Sequence, residues 1–246
     1  MKIVKPEVRP LTPLDGEQML LDIQRAAKTC YKTYKITDDI ESAKKIVKRL
    51  IDSKHEAMLE FANITMNYVS NVAAYKDLTR HRHGSFAIES TRYCNYTKDK
   101  FDGEIRFLDP VEIPNKNSEQ YKTWERAMRD IEYSYGKLAV LGAKLDALSL
   151  LLPHSTAAEF NIRANLREWR HILALRSSIA ATGHARPCIA EIMDQTLELF
   201  HENIPVVFDD LYEQLQQKRA EQKAYEAQVQ QTLLQIKQSE QNKRVK

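Results

Sequence analysis

The spacing of apolar residues changes several times along the chain. MKIVKPEVRPL reads as a first strand, followed by a turn over residues 13–16. Asp15 is placed to cap a helix whose apolar residues, Met19, Leu20, Ile23, Ala26 and Ala27, fall at helical spacing. Thr37-Asp38-Asp39 opens a second helix, with Ile40, Ala43, Ile46, Val47 and Leu50 on its buried face. Residues 61–69 alternate with a period of two, the mark of a half-buried strand. A short helix is predicted over residues 72–82. Residues 104–108 form another strand, stopped by Pro110. A long helix follows over 118–141, and ALSLLLP is a short apolar helix ended by Pro153. A strand over 158–162 and helices over 166–176 and 188–202 complete the main body. This is mixed α and β, without the alternating strand–helix rhythm of a Rossmann fold.

The tail reads differently. After Pro205 there is neither Gly nor Pro, and Tyr225, Val229, Leu233 and Ile236 recur at spacings of four and three in a background of Gln, Lys and Glu. The pattern predicts one long helix with a narrow apolar seam, either a short coiled coil or a solvated helix. The expected division is a domain over residues 1–207 and a helical tail over 208–246.

Composition narrows the possibilities. Of 246 residues, 43% are hydrophobic and 29% charged, enough for a real core. The net charge of +3 is too small to imply nucleic-acid binding by itself, and no nucleic-acid partner is expected. Cys30, Cys94 and Cys188 are scattered, which argues against a disulfide framework or a zinc site, and no metal is expected. No apolar run approaches the roughly 20 residues of a membrane span, and the N-terminus has no apolar leader core. A cytoplasmic protein is the expectation.

The chemistry concentrates in RHRHGSFAIESTRYCNY, from Arg80 to Tyr96. The chain has no Gly-rich phosphate loop, so a phosphorylated ligand would have to be held by arginines. Arginine makes bidentate, charge-assisted bonds to phosphate and keeps its charge at any relevant pH. Arg80, Arg82 and Arg92 supply the charge; Ser90 and Thr91 add neutral donors. A second cluster lies in NLREWRHILALR, where Asn165 is placed as an N-cap and Arg167 and His171 share a helical face. An Arg-His-Arg triplet alone is more often solvated surface. The interleaved Phe86, Tyr93 and Tyr96 also fit a nucleic-acid patch.

Arg80-His81-Arg82, seven residues, then Ser90 resembles the signature of the flavin-dependent thymidylate synthases. LTPLDGEQMLLDIQRAAKTCYK resembles that family's opening, KHEAMLEFANITMNY its H-E-x-x-x-E-H segment, and NLREWRHILALR its second ligand-binding helix. The likeness covers residues 1–205. It implies an α+β fold with an antiparallel sheet flanked by helices, extended here by the helical tail. It also implies a homotetramer that methylates dUMP with methylenetetrahydrofolate, using FAD reduced by NADPH. The resemblance assigns Arg80, His81, Arg82, Ile88, Asn165, Arg167 and His171 to the cofactor. It assigns Asp77, Arg80, Glu89, Ser90, Arg92, Ser149 and Arg176 to the nucleotide, with Arg176 favouring ionisation of the uracil ring.

Several positions depart from the family pattern. Ser149 stands where an arginine usually binds the nucleotide phosphate, leaving Arg92, with Lys144, to carry it. Ile88 replaces a Gln or Glu, Asp77 likewise, and Phe61 a His; SNVAAYK lacks the usual Arg-Gly. The losses fall mainly on the nucleotide side. The resemblance therefore also allows a flavoenzyme acting on another pyrimidine nucleotide or one-carbon unit, or a non-catalytic nucleotide-binding relative.

Overall fold

The computed structural model describes residues 1–30, 32–33, 39–98, 102–180 and 185–244. The predicted first strand is two strands. β1 (Lys2–Val4) and β2 (Glu7–Pro10) belong to different sheets, divided at Lys5-Pro6, where proline removes a ladder donor. β2 pairs antiparallel with β3 (Asn63–Asn71). β3 pairs along all nine residues with β6 (Ala157–Asn165), whose other edge takes β4 (Ser85–Ile88). The antiparallel order is β2-β3-β6-β4. β1 joins β5 (Arg106–Leu108) in a separate parallel pair.

Helices cover one face of the large sheet. In α1 (Gly16–Cys30), Asp15 Oδ1 accepts from the Gln18 N–H at 3.0 Å, and Met19, Leu20, Ile23 and Ala27 are buried as the spacing predicts. Gly16 is required by contact: a Cβ there would lie 2.1 Å from the Asn203 carbonyl oxygen. Asp39 caps α2 (Ile40–Asp52), which buries Ala43, Val47 and Leu50. The Thr37-Asp38 part of its predicted start lies outside the described residues. A 3₁₀ helix over Glu56–Phe61 precedes β3, so the predicted strand begins two residues late and Phe61 is exposed. Ile64, Met66 and Tyr68 of β3 face the main core; Asn67 and Val69 are buried on the opposite face, so this strand is covered on both sides over much of its length.

β6 runs without a break into α6 (Leu166–Arg176), where Asn165 Oδ1 accepts from the Glu168 N–H at 2.8 Å. With α7 (Pro187–Asn203), α6 forms the centre of the main core: Trp169, Ile172, Leu173, Ile189, Ile192, Leu197 and Phe200 are fully buried, and the Trp169 indole donates to the Ile64 carbonyl. α3 (Val72–Leu78) is shorter than predicted, ending in turns before Arg80. α4 (Glu119–Val140) and α5 (Leu145–Ser149) form a smaller second core with Tyr96, Ile105 and Phe107.

The tail is one helix, α8 (Asp209–Arg244). Leu211 and Leu215 are buried in the main core, next to Val207 and Phe208. Tyr225, Val229, Leu233 and Ile236, the predicted seam, are exposed. Among the described residues, no helix is long and apolar enough to cross a membrane.

Candidate functional site

The strand β4, which the sequence reading missed, organises the site. Its first residue, Ser85, pairs with Arg163 of β6, three residues before α6 begins. The turn carrying Arg80, His81 and Arg82 precedes β4 directly and is therefore held against α6. His81 is 6% exposed. The Arg176 Nε–H donates to His81 Nε2 at 3.0 Å, and His81 Nδ1 lies 3.5 Å from Glu168 Oε1. The His171 ring meets His81 edge-on, with centroids 5.7 Å apart. Burial, the Arg176 charge and His171 push the His81 imidazole down to about 4.

Beside this cluster opens a cleft of about 560 Å³ lined by Glu56, Glu60, His83, Asn165, Arg167 and His171, among others. It brings together three of the residues predicted for the cofactor, Asn165, Arg167 and His171. Arg167 bonds Glu60 across the mouth at 2.7 Å, an exposed pair that a stronger anion could displace. Arg80 and Arg82 are exposed, and their guanidiniums have no hydrogen-bonded or ion-paired partner among the described residues. Arg170, which the sequence reading did not single out, forms the floor. It is 8% exposed, grips Asp210 with two bonds of 2.7 and 2.8 Å, approaches Glu56 at 3.5 Å and donates to the Val207 carbonyl. Burial alone would raise the Asp210 carboxyl, but the bonds and charge of Arg170 outweigh it and hold it below the usual range. The only local cue to this pair is the acidic start of α8, which has no fixed reach in sequence.

The remaining predicted residues lie elsewhere. Ile88 packs against the main core, and it and Glu89 border a cleft of about 390 Å³ with Asn67, Arg106 and Asn161. Glu89 is occupied there, accepting from Tyr96 Oη at 2.8 Å and from the Glu159 N–H at 3.0 Å. Ile88 pairs with Phe160, five residues along β6 from Asn165, which places it about 17 Å from the α6 end. Ser90 is half-buried, and its carbonyl accepts from the Tyr93 and Cys94 N–H groups. Arg92 reaches the short helix α5, where its Nε donates to Asp146 Oδ1 at 2.6 Å. Ser149 turns its hydroxyl back to the Asp146 carbonyl, and Lys144 precedes the same helix. Asp77 bonds Arg186 at 2.8 Å. Cys188 is buried, and burial pushes its thiol up to about 11, a setting unsuited to a thiolate nucleophile.

Known proteins resemble the chain over most of its length. Residues 17–206 match the model of the family described as "Thymidylate synthase complementing protein". A flavin-dependent thymidylate synthase of Mycobacterium marinum is 25% identical over 225 residues, 85% of each chain. One from Thermococcus onnurineus is 30% identical over 131 residues, 52% of each chain. The crystal structure of a UMP/dUMP methylase, PolB, from Streptomyces cacaoi bound with 5-Br dUMP superposes with a TM-score of 0.70 at 20% identity, covering 85% of this chain and 96% of that one. That likeness shows a shared fold. With the family match running from the start of α1 to just past α7, well over half of the chain, the chain belongs to the thymidylate synthase complementing protein family.

Proposed function

We propose that the protein methylates the uracil ring of dUMP, giving dTMP, with methylenetetrahydrofolate as carbon donor and FAD, reduced by NADPH, as cofactor. The observation that carries this reading is the placement of Arg176. Its Nε–H is used by His81, and it has no carboxylate partner among the described residues, so its terminal N–H groups remain to meet a ligand. An arginine in that state stabilises negative charge on a pyrimidine imide, which raises electron density at the ring carbon that must attack.

The donors suit a flavin dinucleotide. Arg80 and Arg82 are exposed cations on the same turn as His83, which lines the cleft, and a pyrophosphate is the ligand that two such guanidiniums and the His83 ring favour. Asn165, Arg167 and His171 would hold the cofactor from the α6 side. When bound, FAD supplies the hydride that completes the methyl group. The protein's part is to hold both ligands, keep Arg176 aimed, and use Ser90 and Arg92 for the nucleotide.

We also propose that the working unit is a homotetramer. Within one chain, the cleft at the α6 end and the Arg92 region near α5 lie at opposite ends of β6, so the two sets do not converge. Tyr133, Val140, Leu141 and Leu150 are exposed on α4, α5 and the segments beside them, an apolar surface suited to another copy.

A second reading rests on Ser149 and Ile88, which replace polar positions on the nucleotide side. The fold's solved likeness, PolB, is described as acting on UMP as well as dUMP, so the substrate here extends to another uracil nucleotide in this reading. The experiment loads the protein with FAD, reduces it, and follows single-turnover flavin oxidation with methylenetetrahydrofolate plus dUMP or UMP. Oxidation with dUMP supports the first reading, and with UMP alone the second. A colourless protein that takes up no flavin in excess FAD overturns both. A monomer in light scattering that binds FAD stoichiometrically overturns the tetramer.

A further inference from the structure

Glu168 raises a question that the family resemblance leaves open. Its carboxylate is buried, 8% exposed, and carboxylates are seldom buried without a partner. Its position three residues after the Asn165 cap is that of a capping box, in which the glutamate would reach back to the cap's own N–H. Only half of that box is made. The Glu168 N–H donates to Asn165 Oδ1, while the carboxylate turns instead to His81 Nδ1 at 3.5 Å. No other basic side chain among the described residues lies within 4.0 Å of it.

The second contact of His81 fixes what this means. An arginine nitrogen only donates, so the 3.0 Å bond from Arg176 Nε requires a lone pair on His81 Nε2. His81 is therefore neutral, with its single proton on Nδ1, the nitrogen that faces Glu168. The groups facing His81 from α6 are Glu168, His171 and Arg176; Arg80 and Arg82 flank it on its own turn. Glu168 and Arg176 stand eight residues apart on α6, about 12 Å along the axis, and the imidazole bridges them.

We propose that Glu168 is a positioning residue: by keeping the His81 proton on Nδ1, it leaves Nε2 as the acceptor that aims the Arg176 guanidinium. The role of that guanidinium in turnover rests on the function proposed above; the tautomer does not. The opposite tautomer would set an Nε2–H against the Arg176 Nε–H, and the arginine would lose its anchor. The low proton affinity of His81, about 4, agrees with a neutral ring at neutral pH.

The test uses the full chain labelled with ¹⁵N-histidine, with Glu168→Gln and Glu168→Ala beside it. At pH 7 and without ligand, His81 in the wild type should show a protonated-type Nδ1 and an unprotonated-type Nε2. Both variants should move the two ¹⁵N shifts toward each other as the tautomers mix. At saturating FAD they should also slow nucleotide-dependent flavin oxidation about tenfold, the worth of one aligned hydrogen bond. A protonated Nε2 in the wild type overturns the proposal, even if neither variant folds. Folded variants with unchanged His81 shifts overturn it as well. If the wild type shows the expected tautomer but ignores every uracil nucleotide, the proposed function fails while the ¹⁵N measurement still decides the positioning.

Discussion

The two ends of β6 treat the same kind of contact in opposite ways. At the α6 end, Arg170 and Asp210 form a two-bond pair with the arginine buried under α8, and His81 is locked between Glu168 and Arg176. At the other end, Arg92 and Asp146 form a single-bond pair in which both side chains are about two-thirds exposed. A buried pair becomes costly when one partner is lost, because the other is left charged in a poor solvent. An exposed pair can be exchanged for water or for a competing ion at little cost. The buried pairs of the α6 end are thus built to hold their groups still, and the exposed pair of the α5 end to let them go.

The largest expected effect is at Arg176. Arg176→Ala should slow single-turnover flavin oxidation with saturating dUMP and methylenetetrahydrofolate by roughly 10²–10³-fold, with little change in FAD affinity. Arg176→Lys keeps the charge but not the planar fork, and should recover only part of the rate. Turnover of the alanine variant within a few-fold of wild type would dismiss the arginine as the group acting on the ring.

Next in size is the anchor beneath it. Asp210→Ala leaves the Arg170 guanidinium without its main partner. The expected loss is about 2–3 kcal/mol in urea unfolding, less than the 3–5 typical of a fully buried pair, because Asp210 is about half exposed and Glu56 remains nearby. An unchanged urea midpoint would mean that the α6 end does not depend on this pair, and the contrast with Arg92–Asp146 would lose its basis.

These two ends were not equally legible in the sequence. The α6 features are local: Asn165 before an apolar-periodic run marks a cap, and the i,i+4 spacing puts Arg167 and His171 on one face. The helices over 16–30, 40–52 and 119–140 could be read for the same reason. β4 was missed because SFAI is only four residues long and gains its order from pairing with β6, more than seventy residues away. The partners of His81, Arg170 and Arg92 are hidden likewise. Glu168, Asp210 and Asp146 acquire meaning only when tertiary packing sets them opposite a base, and no spacing rule specifies that.

Acid should probe the buried groups of the α6 end. The His81 pKa is depressed in the fold, from 6.5 to about 4, so the unfolded chain takes up the proton first as pH falls. His81 therefore contributes stability that is complete above about pH 6.5 and is lost progressively as pH falls toward 4. Thermal melts across that window should show a falling midpoint, and His81→Phe should flatten the slope. Asp210, also depressed, contributes above the ordinary aspartate range and loses its share only below about pH 4. A slope that survives in His81→Phe would place the acid sensitivity elsewhere.

A smaller effect is expected from the tail. Leu211 and Leu215 belong to the main core, whereas Tyr225, Val229 and Leu233 are exposed. Ending the chain after Gln216 keeps Asp210 and both leucines and removes surface contacts such as Arg219 with Glu198. The flavin spectrum should be intact and the melting midpoint nearly unchanged. Loss of flavin on truncation would show that the distal helix supports the α6 end after all.

The smallest and most specific effect concerns Asp146. In the proposed reaction Arg92 must meet a phosphate dianion, yet it rests on a carboxylate 2.6 Å away. The pairing holds the Asp146 carboxyl below its usual range and raises the Arg92 guanidinium, as mutual charge stabilisation requires. Ligand phosphate and Asp146 therefore compete for the same guanidinium. Asp146→Asn keeps the size and a carbonyl acceptor but removes the competing charge, so nucleotide should bind a few-fold tighter while thermal stability stays level. Salt screens exposed charges over about 8–10 Å near physiological ionic strength, so the advantage of the variant should narrow as salt is raised. Titration of the flavin spectrum with dUMP at two salt concentrations reads both effects, and Arg92→Ala, expected to weaken binding about tenfold, calibrates them. Equal or weaker binding by Asp146→Asn would mean that Arg92 needs Asp146 to orient it, and the α5 end would then be an anchored site like the α6 end.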